Sequence, residues 1–303
     1  MDHPFAPLAL PLEPISPRLP IAEPFTPTMA ARAGIARAVL DRLHREGRLR
    51  RILRGVYLDA TVPATGAVRA RALALVVTAG QVVVGRTAAW LHGVEVPDRE
   101  PGGPVPIEVH GRRRPEDRDR GRACRYADHD LQVVGGIRCT TPLRTALDLG
   151  RWLEPGSALA ALDGLLAIST FPHKALMAEL PRFGGSPGVV QLRELAAIAD
   201  GRARGPAESV LRLRWLEGRL PTPTPGLVVP VRDARPRLAL GLETHRFGAV
   251  VTGRLADAEL RALSALGWRI VVVPAERVLR SDPDLLSGHL EREFHLHLLA
   301  QVG

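Results

Sequence analysis

The sequence predicts a mixed α/β (α+β) fold in three successive parts. Three observations carry that expectation. Apolar residues recur at helical spacing in several segments, and short aliphatic runs of strand length lie between them. Stretches rich in glycine or proline divide the chain into blocks. At 303 residues, 46% hydrophobic, with mean hydropathy +0.02, there is apolar material for more than one core.

Residues 1–27 hold eight prolines and a single arginine, Arg18. They read as a disordered, polyproline-like lead, without the cationic start and apolar centre of a signal peptide. No apolar run approaches the roughly 20 residues that span a bilayer, so no membrane partner is expected. Cys124 and Cys139 are too few for a disulfide framework or a cysteine metal site, and the expected compartment is the cytoplasm. Net charge is +9 with a sequence pI near 11.0. Lys174 is the only lysine. Eight arginines lie between Arg32 and Arg54 against Asp41 and Glu46. Seven lie between Arg112 and Arg125 against Glu116, Asp117 and Asp119. Such clustering is either a solvated face or the footprint of a polyanion partner.

Residues 28–60 read as a winged helix-turn-helix. Thr28 caps a short helix that Gly34 ends, and a second helix runs from Ile35 to Glu46 with Gly47 as its stop. Ile35, Val39, Leu40 and Leu43 share one face of that helix. Arg37, Asp41, His44 and Arg45 share the other and are the groove-facing candidates for double-stranded DNA. LRRILRGVYLD then forms two short strands around a basic turn. Arg48, Arg50, Arg51 and Arg54 are candidates for its phosphate contacts. Upstream, SPRLPIAEPFTP is too rich in proline to supply the first helix of a three-helix core. The module is therefore trimmed, or borrows packing from elsewhere.

Residues 65–170 read as an α/β middle region. A helix near 66–79 leads to the strand QVVVG, the short helix RTAAWLHGV and the strand PIEVHG. After the arginine loop 111–125, LQVVGGIRCTT gives two short strands around Gly135-Gly136. Thr141-Pro142 opens the helix PLRTALDLGRWL, on whose surface Arg144 and Asp148 pair four residues apart. An apolar helix covers 156–168, and 181–205 reads as a connection.

Residues 190–303 contain the last unit. Pro206 begins a helix, and LVVPV is a strand. Residues 238–253, LALGLETHRFGAVVTG, form a hairpin with its charges at the tip. A helix from about 255 to 266 ends at Gly267, and WRIVVVP is a continuous apolar strand suited to a sheet centre. Leu286, Leu290, Phe294 and Leu298 mark a closing helix.

Motifs for chemistry are few. Gly184-Gly185-Ser186-Pro187-Gly188 matches a nucleophile elbow, but proline after the serine has no N–H for an oxyanion hole, and a linker turn is the better reading. Lys174 follows no glycine-rich loop, which excludes a P-loop. His295 and His297 fall on different helix faces and do not chelate. His92 reads as a helix-end residue, Trp90 and Trp268 as core, and the lone carboxylate Glu208 as solvated. No cofactor, metal ligand or catalytic residue is assigned.

Together these segments resemble AbiEi-type antitoxins of type IV toxin–antitoxin systems. TMAARAGIARAVLDRLHREGRLRRILRGVYLD resembles their N-terminal winged-helix domain, and VVVGRTAAWLHGV with GIRCTTPLRTALDLGRWL resembles their middle region. From GPAESVLRLRWLEGRLPTP through ALGWRIVVVPAERVL, the last unit resembles the very-short-patch-repair endonuclease-like domain of the PD-(D/E)XK superfamily, a restriction-endonuclease-like α/β fold. In that family an aspartate sits on the first hairpin arm and an acidic run on the second. Here those places fall on Ala239 and on Val250, Val251 and Thr252, while Glu208 matches the family's helix glutamate. Alanine, valine and threonine supply no anionic metal ligands. The resemblance thus implies a DNA-binding, antitoxin-like transcriptional regulator with a catalytically dead nuclease-fold domain and a nucleotidyltransferase-like toxin as partner. Two alternatives stand beside it: an active metal-dependent endonuclease, and a protein-binding antitoxin module that does not bind DNA.

Overall fold

The computed structural model describes residues 22–97, 103–111, 126–232 and 234–302. Within them the chain is a mixed α/β protein with three small sheets. Most of the proline-rich lead and most of the arginine loop 111–125 lie outside the described residues.

The N-terminal part runs α1 (Pro27–Arg32), α2 (Arg37–Arg45), β1 (Leu49–Leu53) and β2 (Val56–Asp59), the last two antiparallel. Thr26, not Thr28, caps α1: its hydroxyl accepts from the Met29 N–H, and Pro27 takes the first helical position, where no N–H is needed. Phe25, assigned to the lead, bridges Tyr57 through two backbone hydrogen bonds of 3.0 and 2.9 Å. Its ring packs with Ala30, Ile35, Leu40, Leu43, Leu49 and Tyr57. A one-residue strand and an aromatic ring therefore help close this core. The opposite face of the hairpin supplies the borrowed packing: Ile52, Leu53, Val56 and Leu58 are buried with residues of the middle region. Val105 N–H also donates to Ile52 O, forming a parallel bridge at Leu53.

The middle region holds α3 (Gly66–Ala74), β3 (Val82–Val83), α4 (Gly85–Leu91), β4 (Val109–His110), β5 (Leu131–Val134), β6 (Ile137–Thr140), α5 (Pro142–Trp152) and α6 (Pro155–Ala167). Its strand order is β4-β3-β6-β5. Residues 181–205 are not a bare connection. After α7 (His173–Glu179), a short 3-10 turn leads to α8 (Val189–Ile198), whose Val189, Leu192, Leu195 and Ala196 join the core of α5 and α6. Gly188 caps α8 at φ +77°, and a Cβ there would lie 2.2 Å from Arg151 O, so the Gly-Ser-Pro-Gly run is a tight docking turn. Arg144 and Asp148 do pair, at 2.9 Å, but inside the protein rather than on its surface. Asp130, brought in by the sheet, also receives Arg144 and Arg182, and Arg151 donates to Asp148.

The last part runs α9 (Pro206–Glu217), β7 (Thr224–Pro225), β8 (Leu240–Leu242), β9 (Phe247–Val251), α10 (Asp257–Ala265), β10 (Arg269–Val273), α11 (Ala275–Arg280) and α12 (Pro283–Val302). The sheet order is β10-β9-β8-β7, with β9 and β10 parallel and the other pairs antiparallel. The hairpin at 238–253 forms, turning through Glu243–His245 with Arg246 left-handed at φ +47°. LVVPV makes only isolated bridges, Val228 with Arg237 and Val231 with Ala234, because Pro230 interrupts the ladder. WRIVVVP stands at the sheet edge rather than its centre, since β9 alone pairs with it and Val272 stays exposed. Trp215, Phe247, Leu286, Leu290 and Phe294 fill the core between sheet and helices. The buried pair Arg212–Asp163, at 2.7 Å, ties α9 to α6 of the middle region.

Candidate nucleic-acid interface

Helix α2 buries Leu40 and Leu43 and turns Arg37, Asp41, Arg42, His44 and Arg45 to solvent. Helical periodicity puts the apolar side into the Phe25–Tyr57 core, and the basic side is what remains. Arg37 pairs with Asp41 at 3.7 Å and Arg42 with Glu46 at 3.8 Å, all four more than two-fifths exposed, so these bonds exchange readily for other partners. Arg45 and Arg48 are exposed and flank the turn at Gly47. His44 also serves the fold. Its Nδ1 donates to Leu49 O at 2.9 Å, and its ring meets Tyr57 edge-on. It fastens the end of α2 to the first strand of the hairpin while its outer edge stays accessible.

The hairpin does not offer its arginines equally. Residues directly opposite in an antiparallel pair share a face. Arg51 stands opposite Tyr57, on the α2 side, with its guanidinium 5.7 Å from the tyrosine ring. Arg50 stands opposite Leu58, on the side that faces the middle region, and its Nη2 donates to Val62 O. The structure thus exposes Arg37, Asp41, His44 and Arg45 on α2, Arg48 just after it and Arg54 at the hairpin turn, with Arg51 on the hairpin face that carries Tyr57. Arg50 is drawn away as an internal tether, because strand alternation sends neighbouring residues to opposite faces.

In the last unit, Glu208 is buried rather than solvated, 4% exposed. Both carboxylate oxygens accept from Arg237 Nη1, at 3.1 and 3.0 Å, and Oε2 also accepts the Arg204 backbone N–H at 2.9 Å. Val250 packs with Val229, Leu238, Leu263 and Trp268, while Ala239 lies in the core with Trp215 and Phe247. Thr252 sits in the exposed turn after β9, its N–H bonded to Val273 O. The divalent ion that the nuclease resemblance implies finds no fit in these residues. One carboxylate is present and a guanidinium already neutralises it; the remaining positions are hydrocarbon or a single hydroxyl. Among the described residues, no three His, Cys, Asp or Glu side chains converge to hold a metal ion. No helix among them is long and apolar enough to cross a membrane. Arg237 is the residue that sequence reasoning missed; its one signal was an arginine two places before Ala239.

Residues 22–58 match a family described as "Transcriptional regulator, AbiEi antitoxin". The match begins just before Phe25 and ends inside β2, so it takes in the bridge, both helices and the hairpin. Two Mycobacterium tuberculosis proteins, the uncharacterized proteins MT2308 and Rv2248, are each 32% identical over 186 residues, covering 57% of this chain and 67% of the relative. No solved structure matches the chain.

Proposed function

Because the chain belongs to one family with the Mycobacterium tuberculosis proteins MT2308 and Rv2248, and its residues 22–58 match AbiEi antitoxin regulators, we propose that it is a DNA-binding, antitoxin-type transcriptional regulator acting in the cytoplasm. The observation that carries this reading is the exposed arginine side of α2 beside the basic hairpin, in the matched segment itself. A winged helix-turn-helix at that place enters the major groove with α2 and lays its hairpin along the phosphates. Arg37, Asp41, His44 and Arg45 face base edges; Arg48, Arg51 and Arg54 meet the backbone.

The C-terminal unit is read as a nuclease-shaped domain that does not cut. The Arg237–Glu208 pair and the apolar packing of Ala239 and Val250 support that reading. A nucleotidyltransferase-like toxin is the protein partner that the AbiEi resemblance implies. The deciding experiment measures binding of the intact protein to DNA upstream of its own gene, against scrambled DNA, over a salt series. Sequence-selective retention supports the regulator. Failure to bind any duplex at low salt removes it. Nicking of plasmid DNA with Mg²⁺ or Mn²⁺, lost in Glu208→Ala, would restore the nuclease reading.

A further inference from the structure

Around the Glu208–Arg237 pair, the loop 202–205 and the turn 252–254 form an arginine lip at the edge of the C-terminal unit. Its frame is held from below. Arg237 Nη2 donates to Arg202 O, Glu208 accepts the Arg204 N–H, and Arg254 Nη2 donates to Arg204 O at 2.9 Å. The four arginines are not equivalent. Arg237 is neutralised by Glu208, and Arg202 by Asp200 at 2.6 Å. The guanidinium of Arg204 has no bonded partner among the described residues, and that of Arg254 bonds only the neutral carbonyl of Arg204. Both are exposed.

Two arginines without a carboxylate partner thus meet where the turn 252–254 is bonded to the loop 202–205, whose backbone these hydrogen bonds hold. No carboxylate among the described residues pairs with either guanidinium. An anion with repeated charges at short spacing would pair with both. A free, flexible arginine run is satisfied by solvent. A pair set on a hydrogen-bonded backbone is suited to a partner whose charges are also regularly placed, as along a phosphodiester backbone.

We propose that Arg204 and Arg254 form a second phosphate-backbone contact for duplex DNA, separate from the helix and hairpin at 22–58. The buried Glu208–Arg237 pair acts as the brace that sets their position. The proposal rests on the reading of the protein as a DNA binder. It assigns the C-terminal unit a non-cutting grip on the same nucleic acid.

The test uses the intact chain with Arg204→Ala and Arg254→Ala together, with Arg204→Lys and Arg254→Lys as the charge-retaining companion. Affinity for upstream duplex DNA is measured over a salt series, with thermal melting of each variant recorded alongside. Losing two contacts lowers the magnitude of the log–log salt slope by roughly 1.8, while the lysine pair keeps the slope of the unchanged protein. An unchanged slope in the alanine pair overturns the proposal and leaves the N-terminal reading standing. If the unchanged protein itself binds no duplex, the DNA reading fails and the proposal falls with it. Weakened retention on immobilised polyglutamate with an unaltered DNA slope also overturns it, assigning the lip to an acidic polypeptide.

Discussion

The Arg237 guanidinium lies 3.0 Å from the Glu208 carboxylate, and the pair joins the start of α9 to the segment that leads into β8. The Glu208 side chain is 4% exposed, so its charge depends on this guanidinium and on the Arg204 N–H.

Removing Arg237 strands a buried carboxylate. Arg237→Ala is expected to cost about 3–5 kcal/mol in urea denaturation, since breaking one side of a buried pair leaves its partner uncompensated. Glu208→Leu with Arg237→Met should cost less than Arg237→Ala alone. A single-variant loss below about 1 kcal/mol would mean that water already satisfies Glu208.

The two neighbouring hairpin arginines should separate in a binding assay. Arg51→Ala and Arg54→Ala each lower the salt slope by roughly 0.9, with little change in stability. Arg50→Ala leaves the slope unchanged and lowers the melting temperature, because Arg50 donates to Val62 O on the opposite face of the hairpin from Arg51. Equal slopes for all three variants would contradict the strand register on which this rests.

Phe25→Ala empties a ring site that is 1% exposed in a core of seven buried residues, and is expected to cost about 3–5 kcal/mol. A fragment covering residues 22–60 alone should stay unfolded by circular dichroism. Cutting there bares Ile52, Leu53, Val56 and Leu58, which pack on the middle region. A cooperative melt of that fragment would show that the borrowed packing is dispensable.

Burial pushes the Cys139 thiol up to about 11 from its ordinary 9.0. The folded protein therefore keeps a proton that the unfolded chain releases. Stability from this group is intact below about pH 9 and declines between about pH 9 and about pH 11. In a Cys124→Ser background, Cys139 should resist iodoacetamide at pH 8 until denaturant is added. Rapid native labelling would place the thiol at the surface.

Much of this architecture was legible because it is local. Helix α2 announces itself by the spacing of Leu40 and Leu43 and by Gly47, and the β8–β9 hairpin by two aliphatic arms around a charged tip. What was hidden depends on distant partners. Phe25 looks like part of a proline-rich tail until Tyr57, 32 positions on, offers it a backbone to pair with. Glu208 looks like any helical surface glutamate until Arg237 arrives from the loop before the hairpin. Arg144 and Asp148 satisfy the spacing rule for a surface pair, yet Asp130 and Arg182 enclose them. Helix α8 was lost among glycines and prolines because those residues mark its ends and not its interior.

The bridge between Val105 and Leu53 has a mechanical meaning. A backbone hydrogen bond from Val105 N–H to Ile52 O, two residues from the exposed Arg54, fastens the hairpin to the middle region in addition to the covalent chain. A displacement of the stretch 103–110 is therefore passed to the hairpin through its backbone, and under the proposed function a ligand bound there would shift the basic turn as well.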